Sequence, residues 1–209
     1  MKKYIIAIGG AVIKTAKNEL CELAEQGKIE MLIHNGGSLF HDFQTAIDYS
    51  MKDTSYPLKD LLEDYSCNKE ASDLVWNWIN GYSAPWGSIT SLLEDTSIPV
   101  LMFTIMGADF WHLFNSKWGL VGTRMFEDFT KLVNRFKKEN FHFINLGSAV
   151  IHPEVFIKAI AKAKPKNFKA DVVDFLDMYR PRTRVAIYGK FYHMTHKEFL
   201  NKLLKGEIE

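Results

Sequence analysis

Four short stretches of this sequence place glycine beside polar or charged residues directly after an apolar run. That pattern brings a backbone close to a ligand. The first is Gly9-Gly10-Ala11-Val12-Ile13-Lys14-Thr15. Glycine lets the chain approach a phosphate, a helix start behind it offers N–H groups, and Lys14 and Thr15 add a cation and a hydroxyl. The stretch matches neither the Walker A pattern nor GxGxxG, so a tight turn with an exposed lysine accounts for it equally well. The second is His34-Asn35-Gly36-Gly37-Ser38, followed by His41 and Asp42. Asn-Gly is also a common turn, and a helix cap explains Asp42 without a ligand. The third, Met106-Gly107-Ala108-Asp109, supplies a carboxylate ahead of Trp111 and His112. The fourth, Gly147-Ser148-Ala149-Val150-Ile151-His152, offers an imidazole that either donates a proton or caps a helix.

Other chemistries lack their residues. His193, His196 and Glu198 have no metal-binding spacing that a terminal amphipathic helix does not explain better, so no metal is expected. There is no GxSxG nucleophile turn. Cys21 and Cys67 match no zinc or redox spacing and read as unpaired thiols in a reducing compartment. A formal net charge of +1 gives no global attraction to nucleic acid or an anionic membrane. The apolar run after Met1-Lys2-Lys3 stops at Gly9-Gly10, too short for a signal peptide, and nothing approaches the roughly 20 apolar residues of a membrane span. A cytoplasmic protein is expected.

The elements that must position these loops alternate. Apolar runs at Tyr4-Ile5-Ile6-Ala7-Ile8, Met31-Leu32-Ile33, Val100-Leu101-Met102-Phe103, Phe141-His142-Phe143-Ile144 and Asp171-Val172-Val173 suit strands buried on both faces, as in parallel sheets. Helical periodicity covers residues 18–26, 40–50, 86–96, 124–138, 153–164 and 195–204, with Pro153 in a first turn and Thr195 as an N-cap ahead of Glu198. Strand–helix alternation implies βαβ units. With 209 residues and 47% apolar content, the chain reads as one α/β domain over residues 1–209. A helical insertion is expected at about 53–85. In that insertion Trp76 and Trp78, with Trp86 just beyond, suit either an oligomer interface or local packing.

Taken together, the loops resemble deoxyhypusine synthase and its bacterial relatives. The likeness runs from Gly10-Ala11-Val12-Ile13-Lys14, through Ile33-His34-Asn35-Gly36-Gly37-Ser38 with Asp42 and Ser88-Ile89, to Asn145-Leu146-Gly147-Ser148-Ala149-Val150. It ends near Arg180-Pro181 and Tyr188-Gly189-Lys190. The resemblance implies a three-layer Rossmann-like fold with a mainly parallel sheet that binds NAD, and a homotetramer with active sites between subunits. It implies oxidation of spermidine and transfer of its aminobutyl group, through an imine on a lysine, to a lysine of a translation factor. Lys190 stands at the position of that lysine. His152 and Asp109 are the accompanying catalytic candidates. The expected cofactor set is Gly10, Lys14, Thr15, Asn35, Gly36, Gly37, Asp42, Gly147, Ser148 and Asp174. The expected substrate set is Asp177, Arg180, Arg182 and Tyr188.

The sequence departs from the family where it would recognise a polyamine. Arg182-Thr183-Arg184 is basic where the family is acidic, which favours an anionic substrate over spermidine. The leading expectation is an NAD-dependent transferase or dehydrogenase acting on a small amine or anionic substrate, with a possible protein acceptor. The alternatives are a catalytically silent NAD- or nucleotide-binding module, and a sugar-phosphate or nucleotide enzyme on a similar sheet.

Overall fold

The computed structural model of the chain describes residues 2–47, 69–105 and 118–208. Asp109, His112, Cys67 and residues 53–68 of the expected insertion lie outside them. Six strands form one sheet: β1 (Tyr4–Ile8), β2 (Ile29–Asn35), β3 (Val100–Phe103), β4 (Phe141–Leu146), β5 (Phe168–Asp174) and β6 (Phe191–His193). Their order is β3-β2-β1-β4-β5-β6, and every pairing is parallel. This is the strand order of dinucleotide-binding folds, in which two halves diverge from the first strand.

The apolar runs become strands because helices cover both faces. One face carries α1 (Gly10–Glu25), α2 (Gly36–Ile47), α3 (Lys69–Ile79), α4 (Ile89–Asp95) and α8 (His196–Leu204). The other carries the second half of α5 (Trp118–Phe136), whose Trp118, Val121 and Met125 belong to the first core, with α6 (Ile151–Ala163) and the short α7 (Tyr179–Arg184). Alternate residues of β1 serve the two cores: Tyr4, Ile6 and Ile8 face the first, Ile5 and Ala7 the second. The second core is strongly aromatic. Phe136 stacks on Phe141 at 4.2 Å and Phe143 on Phe156 at 4.5 Å between centroids. Each ring withdrawn from water contributes about 1.5–3 kcal/mol.

Several boundaries differ from the sequence expectation. α1 starts at Gly10, directly after β1, but bends at Ala16, whose φ/ψ of −149°/23° are non-helical. The periodicity from residue 18 belongs to the segment beyond that bend. α2 likewise starts at Gly36, and the 86–96 helix is only Ile89–Asp95, with Ser88 as its N-cap accepting from Ser91 N–H. Thr195 does cap α8, its Oγ1 accepting from Glu198 N–H at 3.2 Å. Trp78 is a core residue at 2% exposure, whereas Trp86 is 82% exposed. No helix among the described residues is long and apolar enough to cross a membrane.

Candidate functional site at the strand ends

The strand order reverses between β1 and β4, so the loops after these strands diverge to opposite faces and leave a crevice. Here the crevice is a cleft of about 570 Å³, lined by Gly10, Ala11, Lys14, Asn35, Gly37, His41, Ile105 and residues 147–151. Its floor is tightly built. Gly9 N–H donates to Leu146 O at 2.9 Å and Gly147 N–H to Val173 O at 3.0 Å, tying the ends of β1, β4 and β5 together. A Cβ on Gly9 would collide with the Gly147 carbonyl oxygen. The two loops therefore touch only because Gly9 has no side chain.

Three helices, α1, α2 and α6, begin at this cleft. Their first N–H groups have no intrahelical partners, and the aligned peptide dipoles add partial positive charge. The first turns of α1 and α2 contain no acidic residue. Glu154 in the first turn of α6 is held by Arg180 at 3.3 Å and Arg184 at 2.6 Å. Together with Lys14, the cleft favours an anion. Asn35 ends β2 where dinucleotide folds commonly carry an acid for the ribose. Its Oδ1 accepts from Ser38 N–H at 2.8 Å and so serves as the cap of α2.

Of the sequence-derived residues, Gly10, Lys14, Asn35, Gly37, Gly147 and Ser148 line the cleft. Gly36 starts α2 and is buried next to Gly37. Thr15 is exposed on α1, and its hydroxyl donates back to Ala11 O at 2.8 Å. Asp174 ends β5 almost fully buried, with Oδ1 accepting from Leu176 N–H at 3.1 Å.

Asp42 lies behind the cleft, fully buried. It accepts from Ile89 N–H at 2.9 Å and from the N–H and hydroxyl of Thr90 at 3.0 and 2.7 Å, and pairs with Lys17 at 3.3 Å. It thereby fixes α4 against α2. The same cluster includes a buried histidine. His34 Nε2 is 3.2 Å from Thr90 Oγ1, and its Nδ1 is 3.0 Å from Ser38 Oγ. With the Thr90 hydroxyl donating to Asp42, Nε2–H must be the donor to Thr90, and Nδ1 accepts from Ser38. Burial pulls the His34 pKa down to about 4, against the opposing pull of Asp42. This neutral relay holds the start of α2, and nothing local in the sequence announces it.

His152 is 1% exposed in the apolar core beside Ala7, Ile33, Phe143 and Phe156, not on the cleft wall. Neither ring nitrogen has a hydrogen-bond partner among the described residues. Burial lowers its pKa to about 4. His196, which the sequence did not single out for the cleft, packs under it. A Cβ on Gly147 would lie 2.6 Å from His196 Nε2. Burial lowers the His196 pKa, and neighbouring Asp174 opposes this.

The remaining candidates lie at the β6 edge of the sheet. Arg182 pairs with Asp177 at 2.7 Å, and both are about half exposed. Tyr188 packs into the aromatic core, 5.0 Å from Phe168 and 6.0 Å from Phe156 between centroids. Lys190 precedes β6 and is exposed, and its N–H donates to buried Asp171 at 2.7 Å. A Cβ on Gly189 would collide with Ala170 O and Asp171 Oδ1, so this glycine lets the segment reach the sheet edge. Lys190 sits one residue before the Val172–Phe191 pair. That puts it about 10 Å below the carboxyl end of β5 and roughly two strand spacings from β4. Within one chain it is not brought to the cleft.

No family model matches the sequence, and no curated protein matches it significantly. Solved structures do share the fold. AgrE in a ternary complex with ornithine and NAD+ is 13% identical with a TM-score of 0.65, over 98% of this chain and 30% of AgrE. A conserved putative LOR/SDH protein from Methanococcus maripaludis is 16% identical with a TM-score of 0.64, over 98% of this chain and 61% of that one. A putative deoxyhypusine synthase from Entamoeba histolytica is 7% identical with a TM-score of 0.58, over 99% of this chain and 74% of that one. This chain thus has the Rossmann-like architecture of these proteins. It spans less than two thirds of the length of AgrE and of the LOR/SDH protein.

Proposed function

We propose that this chain is the NAD-binding domain of an NAD-dependent transferase or dehydrogenase acting on a small amine-bearing or anionic substrate. The observation that carries the reading is the glycine-floored cleft at the β1–β4 reversal, where three helix starts and Lys14 converge. The residues fit a dinucleotide. Gly10, Ala11 and Lys14 would hold the pyrophosphate at the start of α1. Gly37 with Asn35, and Gly147 with Ser148, would flank it. NAD held there would accept a hydride from a substrate carbon. Further support comes from AgrE, which shares the fold and was crystallised with ornithine, an amine-bearing carboxylate, and NAD+.

Lys190 enters this reading as an imine-forming nucleophile only across a contact between copies, because its own chain's cleft is out of reach. The three arginines nearby are ion-paired, Arg180 and Arg184 sharing Glu154 and Arg182 with Asp177. Asp109 is the accompanying carboxylate proposed beyond β3. A silent NAD-binding module is the second reading. It is favoured by the described cleft lining, whose titratable side chains are Lys14 and His41 alone.

The test is turnover with NAD and a panel of amines and amino acids, followed by borohydride trapping. NADH formation with a trapped adduct lost in Lys190→Ala supports the enzyme with its lysine. Equal trapping in Lys190→Ala removes that residue's role and leaves the dehydrogenase standing. NAD binding without any NADH leaves the module.

A further inference from the structure

The residue that ends β2 has a particular place in this strand order. In dinucleotide folds the first strand leads into the helix that holds the pyrophosphate, and the end of the second strand lies beside the adenosine ribose. An Asp or Glu there takes the ribose 2′-hydroxyl, and its charge turns away a 2′-phosphate. Here that position is Asn35.

Packing brings Asn35 to the same part of the cleft as the start of α1. β1 and β2 are neighbours, and α1 and α2 begin side by side. A Cβ on Gly10, the first residue of α1, would lie 3.3 Å from His41 Cδ2, 3.6 Å from the Gly37 carbonyl carbon and 3.7 Å from Ser38 N. Asn35 and Lys14 both line the wall beside this contact.

The hydrogen bonds of Asn35 define what it can still offer. Its Oδ1 accepts from Ser38 N–H at 2.8 Å, and its backbone N–H donates to Ser38 Oγ at 3.0 Å. The side chain keeps its amide NH2 for a ligand, a group that donates and does not accept. A carboxylate would cap α2 equally well, so capping does not explain the neutral amide. The surrounding charges agree. None of the described residues lining the cleft is acidic. Asp42, the acid of α2, is fully buried and engaged by Lys17, Ile89 and Thr90. Glu154 lies on α6, across the crevice, between Arg180 and Arg184. The start of α2 carries partial positive charge, and its first turn holds no acid to oppose it.

We propose that the cleft binds NADP at least as tightly as NAD, and that Asn35 is the residue that admits the 2′-phosphate. This rests on the dinucleotide reading of the cleft and adds which dinucleotide it takes. The Asn35 amide and the first N–H groups of α2, from Gly36 and Gly37, donate to the phosphate oxygens. Lys14 adds positive charge on the same wall.

The test is calorimetric titration of the full chain with NAD and with NADP, for the parent protein and for Asn35→Asp. The substitution keeps an oxygen for Ser38 N–H, so α2 stays capped, and an unchanged unfolding midpoint checks this. The parent should bind NADP with a Kd equal to or below that for NAD. Asn35→Asp should weaken NADP at least about tenfold and NAD less than about threefold. The comparison in the parent decides the matter even if the variant is destabilised. Parent protein that binds NAD but holds NADP at least about threefold more weakly would overturn the inference and leave the cleft reading standing. So would an Asn35→Asp variant whose loss is equal for both dinucleotides or absent for both. Binding of neither dinucleotide would remove the cleft reading itself, and the inference with it.

Discussion

At the scale of single residues, the cleft depends on side chains that are absent as much as on those present. Gly9→Ala should force the β1 and β4 loops apart, costing about 1–3 kcal/mol as an overpacked contact, measured by chemical denaturation. Lys14→Glu places a like charge at an anion site and should weaken NAD at least about tenfold with little change in unfolding midpoint. The buried histidines make a separate prediction. Burial brings His34 and His152 down to about 4 in the folded chain, against about 6.5 for a free imidazole. The unfolded chain therefore binds more protons between these values. Stability is fully present above pH ~6.5 and is lost as pH falls towards ~4, by at most about 3 kcal/mol per histidine. Denaturation midpoints compared at pH ~7.5 and ~5 should show the fall, and His152→Leu should reduce it. A flat profile would mean that these rings gain protons without cost. The glycines and Lys14 were legible in the sequence because their chemistry is local. The His34 relay was not, because its partner Thr90 lies 56 residues away.

At the scale of elements, polar side chains complete what secondary structure leaves open. β3 is an edge strand, and its Met102 N–H donates to Asp128 Oδ2 of α5 at 3.0 Å. Arg124 and Lys131 hold the same carboxylate at 3.0 Å each. Asp128→Ala should leave a buried N–H unpaired and cost about 1–3 kcal/mol or more, seen as a lower unfolding midpoint. An unchanged midpoint would show that water or a neighbour replaces the carboxylate. Five strands were legible because continuous apolar runs are what burial between two helix layers demands. β6 was not, since Phe191–His193 is three residues long and not fully buried. The first turns of α1 and α2 were hidden as well. Glycine is a poor helix former, yet Gly10 and Gly36-Gly37 open these helices directly after the carboxyl ends of β1 and β2.

At the scale of the molecule, six parallel strands in the β3-β2-β1-β4-β5-β6 order put the glycine loops together at one end of the sheet. Alternation alone implied a parallel sheet, but strand order depends on which crossovers go which way, and that is set by packing across the whole chain. The order decides where the candidate residues meet. It collects the loops after β1, β2 and β4 and leaves Lys190 at the far edge. The central claim, that the strand-end cleft holds NAD, is tested most directly by calorimetric titration of the full chain with NAD. The structure predicts a saturable isotherm with one site per chain, weakened at least about tenfold by Lys14→Glu. A folded protein that gives no binding heat at any attainable NAD concentration, or one whose binding is indifferent to Lys14→Glu, would contradict it.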